Sequence, residues 1–400
     1  MAGPLLYAPV AVRVLCVGNI YPPHDMRGGY ELTWRSSVLY LRGRGHEVRV
    51  LASDHRDGRV TGELDPDVHR ELRWYWRDHA FPRHGLRARI VLERHNQSVL
   101  ARHLDELRPD VVAWWGMGGM SLGLVETVRR LGIPAVGVVG DEWMRWGLRA
   151  DGWVKPLHSR PRLGALAERL TGLPGRVDLD GAATWLFNSE RMREKTRAAG
   201  WSLPRSRVAH PGIDHSLFVA SEPRPWRWRL LYLGRLDERK GVHLAVEALT
   251  ELPAETTLVL QGSGDERYVE RLRERGGGRV EFSAEPRERL REVYADADAL
   301  LFPVQWDEPW GLVPLEAMAV GRPVVATGTG GSSEYLEHER NCLIYEPRDS
   351  PAALAAAVSR LAEDEPLRAR LRANGQATAA RYTERAYNEA IERALVGAAT

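Results

Sequence analysis

Two glutamates eight residues apart frame the passage FPVQWDEPWGLVPLE at 302–316. An apolar run ends near Pro303, a loop follows, and a helix is expected to begin near residues 314–316. A helix start offers unpaired N–H groups and the positive end of its dipole, which suits an anion. An ionised carboxylate accepts two hydrogen bonds at once, which suits vicinal hydroxyls. Glu308 and Glu316, flanking the backbone of Gly311, Leu312 and Val313, could therefore hold a molecule carrying both a phosphate and a diol. A solvated acidic loop is the plain alternative.

A second passage, LLYLGRLDERKG at 230–241, runs from an apolar strand into Gly234, where a missing side chain lets backbone approach a ligand. Arg235 and Lys240 follow before the next helix. A guanidinium offers a planar fork to phosphate oxygens and an ammonium a mobile point charge. The chain has only three lysines among its 56 basic residues, so an ammonium kept at this loop is informative. Pairing with Asp237 or Glu238 on the surface is the alternative.

The elements that must position these residues alternate. Apolar runs at 12–17, 47–52, 110–114, 135–139 and 184–187 are expected strands, with helical patterns between them and a first helix over 31–42. The pattern restarts with strands at 228–232, 257–261, 279–282, 299–303 and 323–326. Helices are expected at 242–249 and 265–275, with helical sequence over 354–381. This implies an α/β chain of two doubly wound Rossmann-like domains facing a cleft, with ligands beyond the carboxyl ends of the strands. The first domain is expected over 1–205. A proline-rich linker follows over 206–226, then a second domain over 227–378, and residues 379–400 cross back to the first domain.

Basic and acidic residues number 56 and 54, leaving a formal charge of +2, which excludes the basic excess of a nucleic-acid binder. The two cysteines, Cys16 and Cys342, form no metal pair or disulfide framework, and no apolar stretch is long enough to span a bilayer. A cytoplasmic protein is expected. No HExxH or similar ligand spacing occurs, so no metal is expected.

These residues resemble the retaining GT-B glycosyltransferases of family GT4, most closely over 184–347. LFNSERMREKTRAAG is similar to the segment closing that family's first domain and VAHPGIDHSLF to its linker. GRLDERKG is similar to its diphosphate loop and LQGSGDE to its next strand and turn. EPWGLVPLEAMAVGRPVVATGTGGSSE is similar to its region of two glutamates eight apart. The resemblance implies that Arg235 and Lys240 neutralise a donor diphosphate, that Glu308 contacts the donor sugar, and that Glu316 holds the ribose hydroxyls. It also implies that the backbone at Gly311, Leu312 and Val313 approaches the diphosphate, beside the approach that Gly234 itself allows. PPHDMRGGYE at 22–31 fits the family's glycine loop, with Gly28 and Gly29 offering N–H groups. Where the family commonly has a His after the strand at 136–139, this chain has Asp141 and Glu142, and either could take over that sugar contact. In the linker, Pro211 stands where the family usually has Asn.

The implied reaction moves a sugar from a nucleotide diphosphate donor to an acceptor hydroxyl with anomeric retention, no covalent intermediate and no metal or other cofactor. Hinge closure at the linker would exclude water. A small natural product is the expected acceptor. Nine of the 14 tryptophans precede residue 190, and ELRWYWRDHAFPRHG at 71–85 could wall an aromatic or sugar-containing molecule. A polysaccharide or lipid-linked saccharide is the alternative acceptor. A more distant alternative is an NAD-dependent oxidoreductase, from the glycines Gly116, Gly118 and Gly119 after a strand. Asp178 and Asp180 form a DxD that precedes a strand and so lacks the setting of a metal motif. Leu163, Leu166, Leu170 and Leu173 with four arginines over 160–176 make a basic amphipathic face. Packing on its own domain is expected for it, with peripheral membrane contact as the alternative.

Overall fold

The computed structural model describes residues 11–24, 28–56, 62–76 and 80–400. It divides into two units, one of residues 1–209 with 388–400, the other of residues 210–387. Each is built on a parallel sheet.

The first unit holds β1 (Arg13–Val17), β2 (Glu47–Ser53), β3 (Val68–Leu72), β4 (Val111–Trp114), β5 (Ala135–Val139), β6 (Thr184–Phe187) and β7 (Ser206–Val208). Their order is β3-β2-β1-β4-β5-β6-β7, so the winding reverses between β1 and β4. In the second unit β8 (Arg229–Leu233), β9 (Thr257–Gln261), β10 (Val280–Ser283), β11 (Ala299–Phe302), β12 (Val324–Ala326) and β13 (Leu343–Ile344) take the order β10-β9-β8-β11-β12-β13. There the winding reverses between β8 and β11. In such sheets ligands bind outside the carboxyl ends at the switch point. Central strands such as β4, β5 and β11 are buried throughout, the signature of parallel strands covered on both faces.

Several expected boundaries move. Ser206–Val208, expected in the linker, pairs with β6 as an edge strand, and residues 210–226 group with the second unit. The helix expected over 242–249 is Val242–Glu247 followed by a 3-10 turn. The helical stretch 354–381 is two helices, Pro351–Glu363 and Glu365–Ala379. Asp364 caps the second through the Leu367 N–H, and a proline stands in its first turn. The last helix, Glu384–Ala399, joins the first unit from Asn388 onward. There Ser37 Oγ donates to Asn388 at 2.7 Å, and Glu392 pairs with Arg44 and His46.

The face expected to pack over 160–176 is only partly covered. Leu173 is buried, but Leu163, Leu166 and Leu170 on the helix Pro161–Thr171 are exposed. The DxD aspartates are structural: Asp178 caps the short helix Leu179–Ala182, and Asp180 accepts from the Leu203 N–H.

The first unit also buries a carboxyl pair. Glu93, on α2 (Leu86–Leu107; α1 is Gly29–Gly43), is fully buried and accepts from Tyr75 Oη at 2.8 Å, while its Oε2 makes no hydrogen bond. Burial, with the Asp151 charge added, holds its carboxyl above the ordinary range. The folded chain therefore keeps a proton that the unfolded chain releases, and stability falls as pH rises from the ordinary carboxylate range towards the raised folded value. Glu93→Gln keeps an acceptor for Tyr75 without the charge. Urea unfolding at mildly acidic and mildly alkaline pH should show a flatter decline in the variant; an unchanged slope would contradict this assignment.

Candidate functional site

At the second unit's switch point, the loops after β8 and β11 are neighbours because their strands are. After β8 the chain passes Gly234 (φ 139°), and a glycine turn after β9 holds this loop in place. Gly234 N–H donates to the Gln261 carbonyl and Leu236 N–H to the Ser263 carbonyl, at 3.0 and 2.9 Å. A Cβ on Gly262 would lie 2.0 Å from the Gly234 carbonyl oxygen, and one on Gly264 2.1 Å from that of Leu236. Glycine at both places is what lets the two loops close.

Asp237 then organises the turn Glu238–Lys240. Its Oδ1 accepts from the Arg239 N–H at 2.9 Å, and both Arg235 and Arg239 pair with its Oδ2. Burial opposes its ionisation, but the bonds from Arg239 outweigh it and hold the carboxyl below the usual range. Arg235 stays half exposed. Lys240 takes neither Asp237 nor Glu238, the surface partners that were the alternative for it. Its ammonium pairs with Glu308, 68 residues further on, and both side chains are largely buried.

Glu308 is held from three sides. Trp306 Nε1 donates to its Oε2 at 3.1 Å, Lys240 pairs with the same oxygen, and the Gly331 N–H donates to its carbonyl at 2.6 Å. Gly330 (φ 67°) permits this approach, since a Cβ there would sit 2.3 Å from the Glu308 carbonyl oxygen. The Trp306 ring also faces the Arg239 and Lys240 cations, at 5.3 and 5.4 Å from its centroid.

The helix after this loop is Leu312–Val320, two residues earlier than the sequence suggests, because Gly311 (φ 88°) makes the cap and Pro314 falls inside the first turn. Glu316 therefore sits in the second turn. It is buried, accepts from Tyr294 Oη at 2.7 Å on Oε2, and has Arg287 Nη1 3.5 Å from Oε1. Burial raises its carboxyl above the ordinary range, and Arg287 and Tyr294 pull against that. Arg287, Tyr294, Trp306 and Gly330 are the site residues the sequence reading did not find. A turn Arg among 53 arginines carries no local mark; the Gly-Gly pair at 330–331 was a visible signal.

In the first unit, Gly28 caps α1, with Gly29 as its first residue. A Cβ on Gly28 would lie 2.2 Å from Glu31 Oε2. Residues 25–27 of the expected glycine loop fall outside the described residues. Tyr30 ties the start of α1 to the end of β5: its hydroxyl donates to the Val138 carbonyl at 2.5 Å, and its ring fills the space beside Gly140. Tyr30, which follows Gly29, thus packs beside Gly140, the residue before Asp141. Burial pushes the Asp141 carboxyl up to about 6, against the Trp143 N–H bond that favours its ionised form. Glu142 is engaged by Lys195 and by Arg145 at 2.7 Å. Of the two acids, Glu142 is the one held in ion pairs.

The aromatic stretch after β3 divides. Trp74 and Tyr75 are buried, and Trp74 Nε1 donates to the Gly118 carbonyl at 2.8 Å. Phe81 is exposed and meets the Trp146 ring edge-on. Cβ atoms on Gly118 and Gly119 would collide with Trp146, Trp74 and Phe81, so aromatic packing accounts for the glycines that suggested a dinucleotide site.

Two parallel sheets of this winding, with glycine-tightened loops and a helix start at the second switch point, define a doubly wound α/β protein. Comparison with known proteins specifies it further. Residues 27–217 match the model of Glycosyltransferase Family 4, and residues 218–378 that of Glycosyl transferases group 1. The chain is 30% identical over 266 residues to the lipopolysaccharide core biosynthesis glycosyltransferase LpsD of Rhizobium meliloti, covering 62% of this chain and 73% of that one. It is 32% identical over 239 residues to the glycogen synthase of Mycobacterium tuberculosis, covering 56% and 54%. The chain thus spans about half the length of several curated relatives it matches. Among solved structures, sucrose-phosphate synthase from Thermosynechococcus elongatus superposes with a TM-score of 0.73 at 19% identity, over 96% of this chain and 98% of that one. Anabaena HepE in complex with UDP and glucose gives 0.67 at 20% identity, over 96% and 100%. These likenesses show the fold, that of the GT-B enzymes. The chain belongs to glycosyltransferase family 4.

Gly330→Ala tests the hold on Glu308. A methyl group at positive φ against the Glu308 backbone should cost about 1–3 kcal/mol of stability, and the crystal structure of the variant should show Glu308 displaced. An undisturbed Glu308 with unchanged unfolding would remove that constraint.

Proposed function

We propose that the protein transfers a sugar from a nucleoside diphosphate donor to an acceptor hydroxyl with retention of anomeric configuration. The observation that carries this reading is the Lys240–Glu308 pair at the β8/β11 switch point, on the loop that leads into the helix start at Gly311–Val313. Arg235, Lys240 and the N–H groups of Leu312 and Val313 meet the diphosphate; Pro314 has no N–H to offer. Glu316 accepts the ribose hydroxyls, held for that by Tyr294 and Arg287. Trp306 and Lys240 both engage Glu308 Oε2, so Oε1 is the oxygen a donor sugar hydroxyl would reach. In the first unit, Gly28 and Gly29 offer N–H groups at the start of α1, and Asp141 takes a sugar hydroxyl.

In the step itself the bond from the anomeric carbon to the diphosphate oxygen breaks, and the acceptor oxygen bonds to that carbon on the same face. The acceptor proton passes to the departing phosphate oxygen. Arg235 and Lys240 stabilise the charge that gathers there, so no metal is needed. The aromatic stretch after β3 supports a small aromatic or glycosylated natural product as acceptor. A second reading, a saccharide or lipid-linked acceptor, is favoured by the exposed Leu163, Leu166 and Leu170 and by the saccharide products that relatives' names state. No helix among the described residues is long and apolar enough to cross a membrane.

Thermal unfolding with UDP, dTDP, GDP, ADP and NAD, each with EDTA present, is the direct test. A ligand at about 100 times its dissociation constant adds about 2.7 kcal/mol, so one nucleoside diphosphate should stand out; a shift with NAD alone, or with none, overturns the proposal. Arg235→Ala and Lys240→Gln should each lower turnover at least about 100-fold. Near-normal turnover in both would displace the diphosphate from this loop. Nucleotide affinity should also fall on mild acidification as Glu316 takes up its proton, and Glu316→Gln should bind weakly at every pH. A parallel pH profile in that variant would assign the titration elsewhere.

A further inference from the structure

Away from both switch points, β3 and α2 bring together His69, Glu71 and His103. β3 is the edge strand of the first sheet, and its residues 69 and 71 point to one face, where α2 delivers His103. Among the described residues this is the one group of three such side chains whose ligand atoms lie within 4.8 Å of one another. Two of the separations are closer. His69 Nδ1 is 3.3 Å and His103 Nε2 3.5 Å from Glu71 Oε1. Ligands of a tetrahedral zinc at about 2.0–2.1 Å stand about 3.3 Å apart.

The second observation is His103 itself. Its side chain is wholly buried, and its Nε2 points at Glu71 without making a hydrogen bond. A buried polar atom left so is costly in an ordinary interior. His69 is oriented from behind, with its Nε2 2.8 Å from Asp67 Oδ1, the carboxylate–histidine arrangement that fixes a ligating imidazole, here with its Nδ1 turned to Glu71 Oε1. The charge balance also admits a cation. Asp67, Glu71 and Glu106 gather here against Arg49 and Arg102. Arg102 holds Glu71 by Oε2 and leaves Oε1 towards the histidines. Arg49 is anchored by Asp67 and Glu106 at 3.1 and 3.0 Å. Its 3.4 Å contact with His103 Nδ1 is the one that must yield, so that Nδ1 carries the ring proton while Nε2 ligates.

We propose that His69 Nδ1, Glu71 Oε1 and His103 Nε2 bind one zinc-class divalent cation, with water in the fourth position, and that the ion fastens the edge strand β3 to α2. Imidazole and carboxylate together suit zinc rather than magnesium or calcium, which take oxygen ligands. Local spacing in the sequence gives no sign of the set, because His103 lies 32 residues beyond Glu71 and joins only when α2 folds back on the sheet. The site is independent of the donor loops and plays no part in the transfer proposed above.

The test uses the full chain, stripped with EDTA and dialysed, then titrated with Co2+ and Zn2+. One equivalent of Co2+ should produce the visible absorption of a four-coordinate site, Zn2+ should bleach it stoichiometrically, and Zn2+ should raise the unfolding midpoint. His69→Ala, at a half-exposed position that tolerates truncation, should weaken binding at least about tenfold, and Asp67→Asn, which touches no metal, about tenfold through the orientation of His69. His103→Ala should abolish the absorption, but its burial makes it the less secure variant to fold. Absent absorption in the wild type, or undiminished binding in both His69→Ala and Asp67→Asn, overturns the proposal.

Discussion

The ion pair of Lys240 and Glu308 is the interaction on which the second unit's functional end depends. It joins two loops that are distant in sequence and adjacent only because β8 and β11 lie side by side where the winding reverses. Both charges are largely withdrawn from water, so each needs the other: a buried charge whose partner is removed costs far more than the pair contributes net. The surrounding geometry is arranged to keep them together. Trp306 fixes the carboxylate from the side, Gly331 holds the Glu308 backbone, and the Gly262–Gly264 turn braces the loop that carries Lys240. The two charges are thus anchored beside the start of the helix Leu312–Val320.

The strands in the middle of each sheet can be read from the sequence because burial on both faces demands unbroken apolar runs. β5, β6 and β9 fall where the sequence puts them, residue for residue. The edge strands cannot be read this way. VHREL, SRV and LI are short, mixed or polar, and become strands through a neighbour that already exists. The break at Asp364 was visible as an acid and a proline at a helix start, overshadowed by the apolar periodicity on either side.

The candidate site divides along the same line. Gly234, Arg235, Lys240, Gly311 and the two glutamates show themselves through type and spacing within one loop at a time. Which carboxylate Lys240 meets, and which side chains steady Glu316, depend on strand order, a long-range property. Tyr294 and Arg287 reach Glu316 from an element more than 20 residues away, with nothing in their own surroundings to mark them. Asp141 and Glu142 are neighbours of like charge, and only the engagement of Glu142 by Lys195 and Arg145 tells them apart.

The last helix has a consequence for the order in which the chain can be completed. The second unit is continuous in sequence, whereas the first takes its final 13 residues from the end of the chain. Asn388 reaches Ser36 and Ser37, and Glu392 meets Arg44 and the buried His46. During synthesis the first unit emerges early but has to wait, with the docking surface on α1 uncovered, until residues 388–400 have been made. The second unit can close in the meantime. What is made first is finished last, and that interval is when the nascent first unit most needs protection from association with other chains.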